Sequence, residues 1–283
     1  MKVNAMIEAD LVLDDGRTLH VYDRGPTDAG PAVFWLHGTP NVGAPPEPLF
    51  ADAARLGLRW IGYDRPGYGG STSRAGRDVA SAADDIVRIA DRFGIERFAV
   101  VGHSGGGPHA LACAALLPGR VLAAVSIAGL APYGAENLDW FAGMRPSGQA
   151  GLRAALAGRA AKAAHEASQP EFDRALFTER DWAALSGQWA WFDSVVGPAL
   201  ANGPGGLIDD DIAYVTPWGF DCAQISRPLL LLHGDQDRMV PKGHGEWLAR
   251  HCPAAELWLQ PGDGHISVLS AAPCALEWLR KQA

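Results

Sequence analysis

Short, almost continuously apolar runs recur along this chain, and helical stretches separate them. A run that is apolar at nearly every position suits a strand buried on both faces of a parallel sheet. The alternation of such strands with helices therefore predicts an α/β fold, a mostly parallel sheet with helices on both faces. The predicted strands cover residues 32–36, 58–63, 97–101, 121–127, 228–233 and 256–260.

The clearest helical pattern covers residues 78–93, where apolar side chains recur on one helical face. Asp78 is the expected N-cap of this helix, and Gly94 is its expected stop. Before the alternation begins, Asp15 and Gly16 stand between two apolar runs and predict an antiparallel hairpin.

The alternation breaks once, between residues 131 and 220, where helical patches occur without a convincing strand. We interpret residues 131–220 as an inserted helical cap, and residues 1–130 and 221–283 as the core. Within the insertion, the alanine-rich residues 150–167 predict helix. The stretch NGPGGLIDDD, residues 202–211, predicts a loop.

The charge balance excludes two classes of partner. The chain has 24 basic and 32 acidic side chains and a net charge of −8. Binding to nucleic acid or to an anionic membrane needs a basic surface, so neither partner is expected. At 283 residues, the chain has the length of one large domain or of a domain with an insertion. Such a chain buries a sizeable core without the help of a metal or a disulfide.

The cysteines and the apolar stretches indicate in which cellular compartment the protein is expected. Cys113, Cys222, Cys252 and Cys274 lie far apart, without a C-x-x-C pair, which disfavours a zinc site and a disulfide framework. The N-terminal segment has acidic residues where a signal peptide needs an apolar stretch. The longest apolar-rich stretch, residues 121–130, is about half of a membrane-spanning helix. We expect a cytoplasmic protein without a metal site or membrane insertion, and its oligomeric state stays open.

The sharpest chemical motif is Gly-His-Ser-Gly-Gly at residues 102–106, which fits G-x-S-x-G. A predicted strand precedes it and an Ala- and Leu-rich helical stretch follows it, which is the context that makes Ser104 a candidate nucleophile. Small residues at 102 and 106 permit the strained turn that such a serine needs. The alternative is a glycine-rich turn of a nucleotide-binding fold, but the first strand–helix turn lacks G-x-G-x-x-G.

With these motifs, the chain resembles the α/β-hydrolase family over essentially its whole length outside residues 131–220. The order of the matching segments is the one that the family implies: oxyanion loop, nucleophile, cap, acid and histidine. The segments are HGTP at 37–40, YDRPGYGGS at 63–71, GHSGGG at 102–107, HGDQDRMVP at 233–241 and GDGH at 262–265.

A serine hydroxyl needs a base to take its proton, and His265 is the candidate. It lies in a glycine-rich loop after the last predicted strand. The histidines of the HGTP and GHSGGG segments, His37 and His103, stand where this family usually uses the residue to support a loop. The resemblance assigns the acid, through the pattern G-x-x-D-x-x-V-P, to Asp237. Asp235 is then expected to cap the loop, and Asp263 to face solvent.

The tetrahedral intermediate of acyl transfer needs two hydrogen-bond donors for its oxyanion. The resemblance places them at the backbone N–H groups of Gly105 and Thr39, since Pro40 has no N–H. The HGTP loop lacks the HGGG of one lipase and esterase group. It also departs from the HGGPG of proline-iminopeptidase-like relatives, which disfavours a peptidase.

The identity of residue 104 excludes some of the reactions that are known for this fold. Haloalkane dehalogenases and epoxide hydrolases of this fold attack with an aspartate, whereas this chain has Ser104. We therefore expect hydrolysis of a carboxylic ester through an acyl-enzyme, with a Ser104–His265–Asp237 triad and without a metal or cofactor. The alternatives are thioester, lactone or C–C bond hydrolysis, perhydrolysis, and a ligand-binding receptor of this fold.

Half of the chain's 24 aromatic residues lie within residues 131–220. Most of these 12 are expected to dock the insertion on the core, and a minority to line an apolar pocket for a small-molecule substrate. They are Tyr133, Trp140, Phe141, Phe172, Phe177, Trp182, Trp189, Trp191, Phe192, Tyr214, Trp218 and Phe220.

Overall fold

An eight-stranded sheet with the strand order β1-β2-β4-β3-β5-β6-β7-β8 forms the centre of the protein. The computed structural model describes residues 6–25 and 30–283. Residues 1–5, which belong to the N-terminal segment and the predicted core range, and residues 26–29 lie outside the described residues. The strands are Ile7–Val12 (β1), Thr18–Arg24 (β2), Ala32–Leu36 (β3), Arg59–Tyr63 (β4), Phe98–His103 (β5), Val121–Ile127 (β6), Leu229–Gly234 (β7) and Ala255–Gln260 (β8).

The strand pairing confirms the predicted fold class. β1 and β2 form an antiparallel hairpin, and β2 also pairs antiparallel with β4. The remaining neighbours, from β4 through β3 to β8, pair in parallel. The six predicted apolar runs are β3 to β8, with their ends shifted by at most two residues. Every residue of β3, β4, β5 and β7 is buried, which is why their sequences are apolar at nearly all positions.

Helices cover both faces of the sheet. Alternate residues of β3 enter two separate cores, with Phe34 in one and Trp35 in the other. The helices are Phe50–Leu56 (α1), Ser81–Arg92 (α2), Gly106–Leu116 (α3), Pro146–Leu156 (α4), Arg159–Ala167 (α5), Glu179–Leu185 (α6), Asp193–Ala199 (α7), Gly205–Val215 (α8), Gly243–His251 (α9) and Ala272–Gln282 (α10). α2 and α3 pack in the core of Phe34, and α1 and α10 in the core of Trp35.

α2 begins at Ser81, two residues later than an N-cap at Asp78 predicts. Asp78 stays outside the helix, and its Oδ1 accepts a hydrogen bond from the backbone N–H of Ser81 at 2.9 Å. A turn that ends at residue 80 therefore precedes the first helical residue. Gly94 follows the helix with a φ of 65°, in keeping with its predicted role as a stop.

Between β6 and β7, the chain forms α4 to α8 and short 3₁₀ turns, without a strand. The predicted loop at residues 202–211 was wrong from Gly205 onward, because α8 begins there. Burial outweighs the poor helix propensity of this glycine- and aspartate-rich segment. A Cβ at Gly206 would lie 2.8 Å from the ring of Tyr68, so the glycine lets α8 approach the core closely.

The loops that follow β3, β5, β7 and β8 emerge at the carboxyl edge of the sheet, where α/β folds bind ligands. Among the described residues, every helix is too short or too polar to span a bilayer.

Candidate active site

Ser104 occupies a strained turn between β5 and α3. Its φ of 52° lies in the left-handed region, which a residue with a side chain adopts at a cost. Two glycines make the turn possible, since a Cβ at Gly102 would lie 2.1 Å from the carbonyl oxygen of Gly106. A Cβ at Gly106 would lie 1.9 Å from the carbonyl oxygen of Leu36. The backbone N–H of Ser104 donates to the carbonyl of Ile127 at 2.8 Å, which fixes the turn to β6.

His265 and Asp237 are in direct contact. His265 Nδ1 lies 2.7 Å from Asp237 Oδ2, and both residues are buried. The other carboxylate oxygen, Oδ1, accepts the backbone N–H groups of Met239 and Val240, each at 2.9 Å. Burial disfavours the charged imidazolium, but the neighbouring carboxylate of Asp237 outweighs burial and raises the pKa of His265. The arrangement can hold the imidazole in one orientation and stabilise its protonated form.

The two neighbouring aspartates take other positions. Asp235 Oδ1 accepts the backbone N–H of Gly262 at 2.8 Å, which is the expected loop-capping contact. The expectation that Asp263 faces solvent was wrong, because its side chain is 15% exposed and pairs with Arg180 at 3.2 Å. Arg180 lies on α6, within residues 131–220.

His37 and His103 occupy supporting positions. His37 Nε2 accepts the backbone N–H of Arg65 at 3.0 Å, and its Nδ1 contacts the carbonyl of Gly38 at 2.7 Å. His103 Nε2 lies 3.1 Å from the carbonyl oxygen of His265. Burial lowers the pKa of His103 to about 3, so its imidazole stays neutral near pH 7.

Ser104 and His265 line the same cavity, which has a volume of about 350 Å³. No hydrogen bond joins their side chains within the part of the chain that the structure describes, and Ser104 is half-buried. The walls are mainly apolar. Four of the 12 aromatic residues between positions 131 and 220 contribute to them, namely Phe172, Phe177, Trp182 and Phe192. Two larger clefts, of about 520 and 560 Å³, contain neither Ser104 nor His265.

The expected oxyanion donors lie beside Ser104. A Cβ at Gly38 would lie 3.6 Å from Ser104 Cβ, so the loop after β3 passes next to the serine. A Cβ at Gly105 would lie 2.5 Å from Thr39 Oγ1, so these two residues are in contact. Among residues 6–25 and 30–283, neither the Thr39 nor the Gly105 backbone N–H has a hydrogen-bond acceptor. Two unpaired amides next to a serine hydroxyl can bind an oxyanion.

A further aspartate, which the sequence analysis missed, holds the loop that carries His265. Asp181 Oδ1 accepts the backbone N–H groups of Ile266 and Ser267, each at 2.8 Å. Its Oδ2 accepts the backbone N–H of Thr178 at 2.9 Å. Asp181 lies in α6, 84 residues before His265. The pattern Thr178-x-x-Asp181 is a capping box, which marks Asp181 as part of a helix start but not as a partner of the His265 loop. Asp210 of α8, which contacts Thr39, was missed in the same way, and Tyr214 was counted among the aromatic residues without its contact to Thr39.

Within the described ranges, the side chains of His, Cys, Asp and Glu form no group of three or more that could hold a metal ion. The polar side chains around Ser104 are instead arranged as hydrogen-bonding groups.

Comparison with known proteins gives consistent matches. The family model described as alpha/beta hydrolase fold matches residues 31–272. A bifunctional esterase/perhydrolase from Acinetobacter calcoaceticus is 27% identical, over 80% of this chain and 81% of its own. A pimeloyl-[acyl-carrier protein] methyl ester esterase from Nitrosomonas europaea is 29% identical, over 86% of this chain and 92% of its own. The solved structure of a thermophilic esterase from Thermogutta terrifontis has a TM-score of 0.70 at 22% identity, covering 98% and 99% of the two chains.

Proposed function

Because this chain belongs to the alpha/beta hydrolase fold family, we propose that it is a serine hydrolase that cleaves a carboxylic ester through an acyl-enzyme. One observation carries the proposal: His265 Nδ1 lies 2.7 Å from Asp237 Oδ2, and His265 shares a cavity with Ser104. The left-handed turn at Ser104 supports the assignment, since strain of this kind is typical of a nucleophile between a strand and a helix.

In the proposed mechanism, Asp237 accepts the Nδ1–H of His265 and leaves Nε2 free to accept a proton. Nε2 takes the hydroxyl proton of Ser104 as Oγ attacks the ester carbonyl. The resulting oxyanion accepts hydrogen bonds from the backbone N–H groups of Thr39 and Gly105. His265 then returns the proton to the leaving alcohol, and water repeats the sequence to release the acid. These steps need no metal or cofactor.

The cavity supports a small to medium apolar acyl group as the substrate. Its volume of about 350 Å³ lies near the lower end of the range for small-molecule sites. Phe172, Phe177, Trp182 and Phe192 come from residues 131–220, which we propose to be the cap of the pocket. Residues 1–130 and 221–283 would then form the catalytic core.

Perhydrolysis is the second candidate, because the relative from Acinetobacter calcoaceticus is named as an esterase and a perhydrolase. In that reaction, hydrogen peroxide replaces water in the second step and the product is a peracid. A peroxide-dependent fall in free acid, matched by peracid formation, would support it.

The proposal is tested by labelling with a fluorophosphonate and by a panel of p-nitrophenyl esters of increasing acyl length. We expect a single adduct at Ser104 and turnover that peaks at a short or medium acyl chain. Labelling at Ser104 without turnover of any ester, thioester or lactone would contradict the esterase and favour a binding protein.

A further inference from the structure

A carboxylate from the helical insertion is buried directly behind the oxyanion loop. Asp210 of α8 is fully buried, and Arg65 Nη2 and Arg77 Nη1 each lie 2.6 Å from it. The hydroxyls of Tyr68 and Thr39 donate to its Oδ2 at 2.8 and 2.5 Å. Burial would raise the pKa of Asp210, but the two guanidinium groups hold it well below its ordinary range. Asp210 is therefore ionised near pH 7, and these four contacts all come from residues 1–130.

Arg65, which pairs with Asp210, also binds the backbone of the oxyanion loop. Its guanidinium donates to the carbonyl of Gly38 at 3.1 Å and to the carbonyl of His37. It also donates to Thr39 Oγ1 at 3.1 Å. The ion pair with Asp210 thus fixes three consecutive loop residues, including the one whose N–H we assign to the oxyanion.

Tyr214, one helical turn after Asp210, connects the two assigned oxyanion residues. Its hydroxyl lies 2.7 Å from Thr39 Oγ1 and donates to the carbonyl of Gly105 at 3.0 Å. Because Thr39 gives its only hydroxyl proton to Asp210, the single Tyr214 proton is shared between Thr39 and Gly105. One hydroxyl therefore contacts both loops.

Stability alone gives no reason for this cluster. A buried ion pair is often no more stabilising than apolar side chains of the same volume, because both charges lose their hydration. What the charged cluster adds is a defined geometry, since each hydrogen bond fixes a direction as well as a distance. The hydrogen bonds of this cluster reach Thr39 and Gly105.

We propose that Asp210 and Tyr214 are positioning residues, which hold the backbone N–H groups of Thr39 and Gly105 at the spacing that the oxyanion needs. The inference rests on the proposed function. It makes the insertion part of the catalytic apparatus, because α8 completes a site whose reacting groups all lie in the core.

The decisive variant is Tyr214→Phe, which keeps the ring and removes only the hydroxyl. We expect kcat to fall by about tenfold to hundredfold with KM within about twofold, because the oxyanion forms only in the transition state. The inhibition constant of a trifluoromethyl ketone, which forms a tetrahedral adduct, should rise by the same factor as kcat/KM falls. The matched control is Tyr63→Phe, since the Tyr63 hydroxyl is buried without a partner among the described residues. Its kcat and KM should stay within about twofold of wild type.

Thr39→Val removes the side-chain contact and keeps the backbone N–H. If Thr39 and Tyr214 act as one unit, the double variant should lose far less than the product of the two single losses. Asp210→Asn would leave Arg65 and Arg77 short of a counter-charge and is expected to lower the melting temperature sharply, so the hydroxyl variants carry the test.

The outcomes separate this inference from the proposed function. A wild-type chain that hydrolyses no ester refutes the proposed function and the inference with it. An active wild type refutes the inference alone if Tyr214→Phe changes only KM or the melting temperature. Unchanged binding of the trifluoromethyl ketone, or fully multiplicative losses with Thr39→Val, would also refute it.

Discussion

Asp237→Asn tests the assignment of the acid, because the structure dictates how the new amide must sit. Asp237 Oδ1 accepts two backbone N–H groups, at residues 239 and 240, each at 2.9 Å. An asparagine can keep both contacts only by placing its carbonyl oxygen there, so its NH₂ must face His265 Nδ1. That contact forces the proton of His265 onto Nε2, the atom that has to accept the proton of Ser104.

The expected loss in kcat is a thousandfold to ten-thousandfold, or about 4–5 kcal/mol of transition-state stabilisation. The melting temperature should change little, because the two loop hydrogen bonds survive. Both quantities are measured with a p-nitrophenyl ester and by thermal unfolding. Asp235→Asn is the matched control, and it should cost at most a modest factor in kcat because Asp235 contacts only the loop. A large loss at Asp235 with near-normal activity of Asp237→Asn would refute the reasoning.

Three further predictions follow from the site. Since neutral His265 is the base and Asp237 raises its pKa, kcat/KM should rise with pH through a value above the ordinary 6.5, and a lower midpoint would contradict this. Trp182→Ala enlarges the cavity and should shift the preferred acyl chain to a longer one, whereas Tyr133→Ala, outside the cavity, should leave the preference unchanged. Asp181→Asn should lower kcat by about tenfold. It should also shift the acidic limb of the pH profile to lower pH, since the Asp181 charge raises the pKa of His265. An unchanged profile would show that Asp181 only stabilises the loop.

Much of the fold could be predicted because local sequence and final burial agree. β3, β4, β5 and β7 are buried at every residue and β6 at all but one, and this burial requires the continuous apolar runs that the sequence displays. The same expectation was wrong for β8, an edge strand in which every residue is at least partly exposed. The turn at Ser104 is equally readable, because Gly102 and Gly106 are forced by contacts of their own backbone with neighbouring strands and loops. The contact of Asp237 with His265 could be anticipated because the loop of Asp237 carries a recognisable pattern.

The contacts between residues 131–220 and the rest of the chain could not be predicted. Asp210 reaches Arg65 and Thr39 over more than 140 residues of sequence, and no local pattern encodes that pairing. The glycines and consecutive aspartates of α8 predicted a loop, because both residue types are poor helix formers. In the structure, a buried counter-charge stabilises the helix that they form. Which aromatic residues line the cavity depends on the packing of the whole insertion.

The central claim is that Ser104 forms an acyl-enzyme, and pre-steady-state kinetics with intact-mass detection test it most directly. The wild-type chain, mixed with a slowly deacylating p-nitrophenyl ester, should release a burst of p-nitrophenol. The burst should equal the enzyme concentration, and the mass of one acyl group should appear on Ser104. Ser104→Ala should show no burst and a kcat at least about ten-thousandfold lower. A Ser104→Ala variant that keeps more than about a tenth of the wild-type rate, or an acyl group on another residue, would contradict the account.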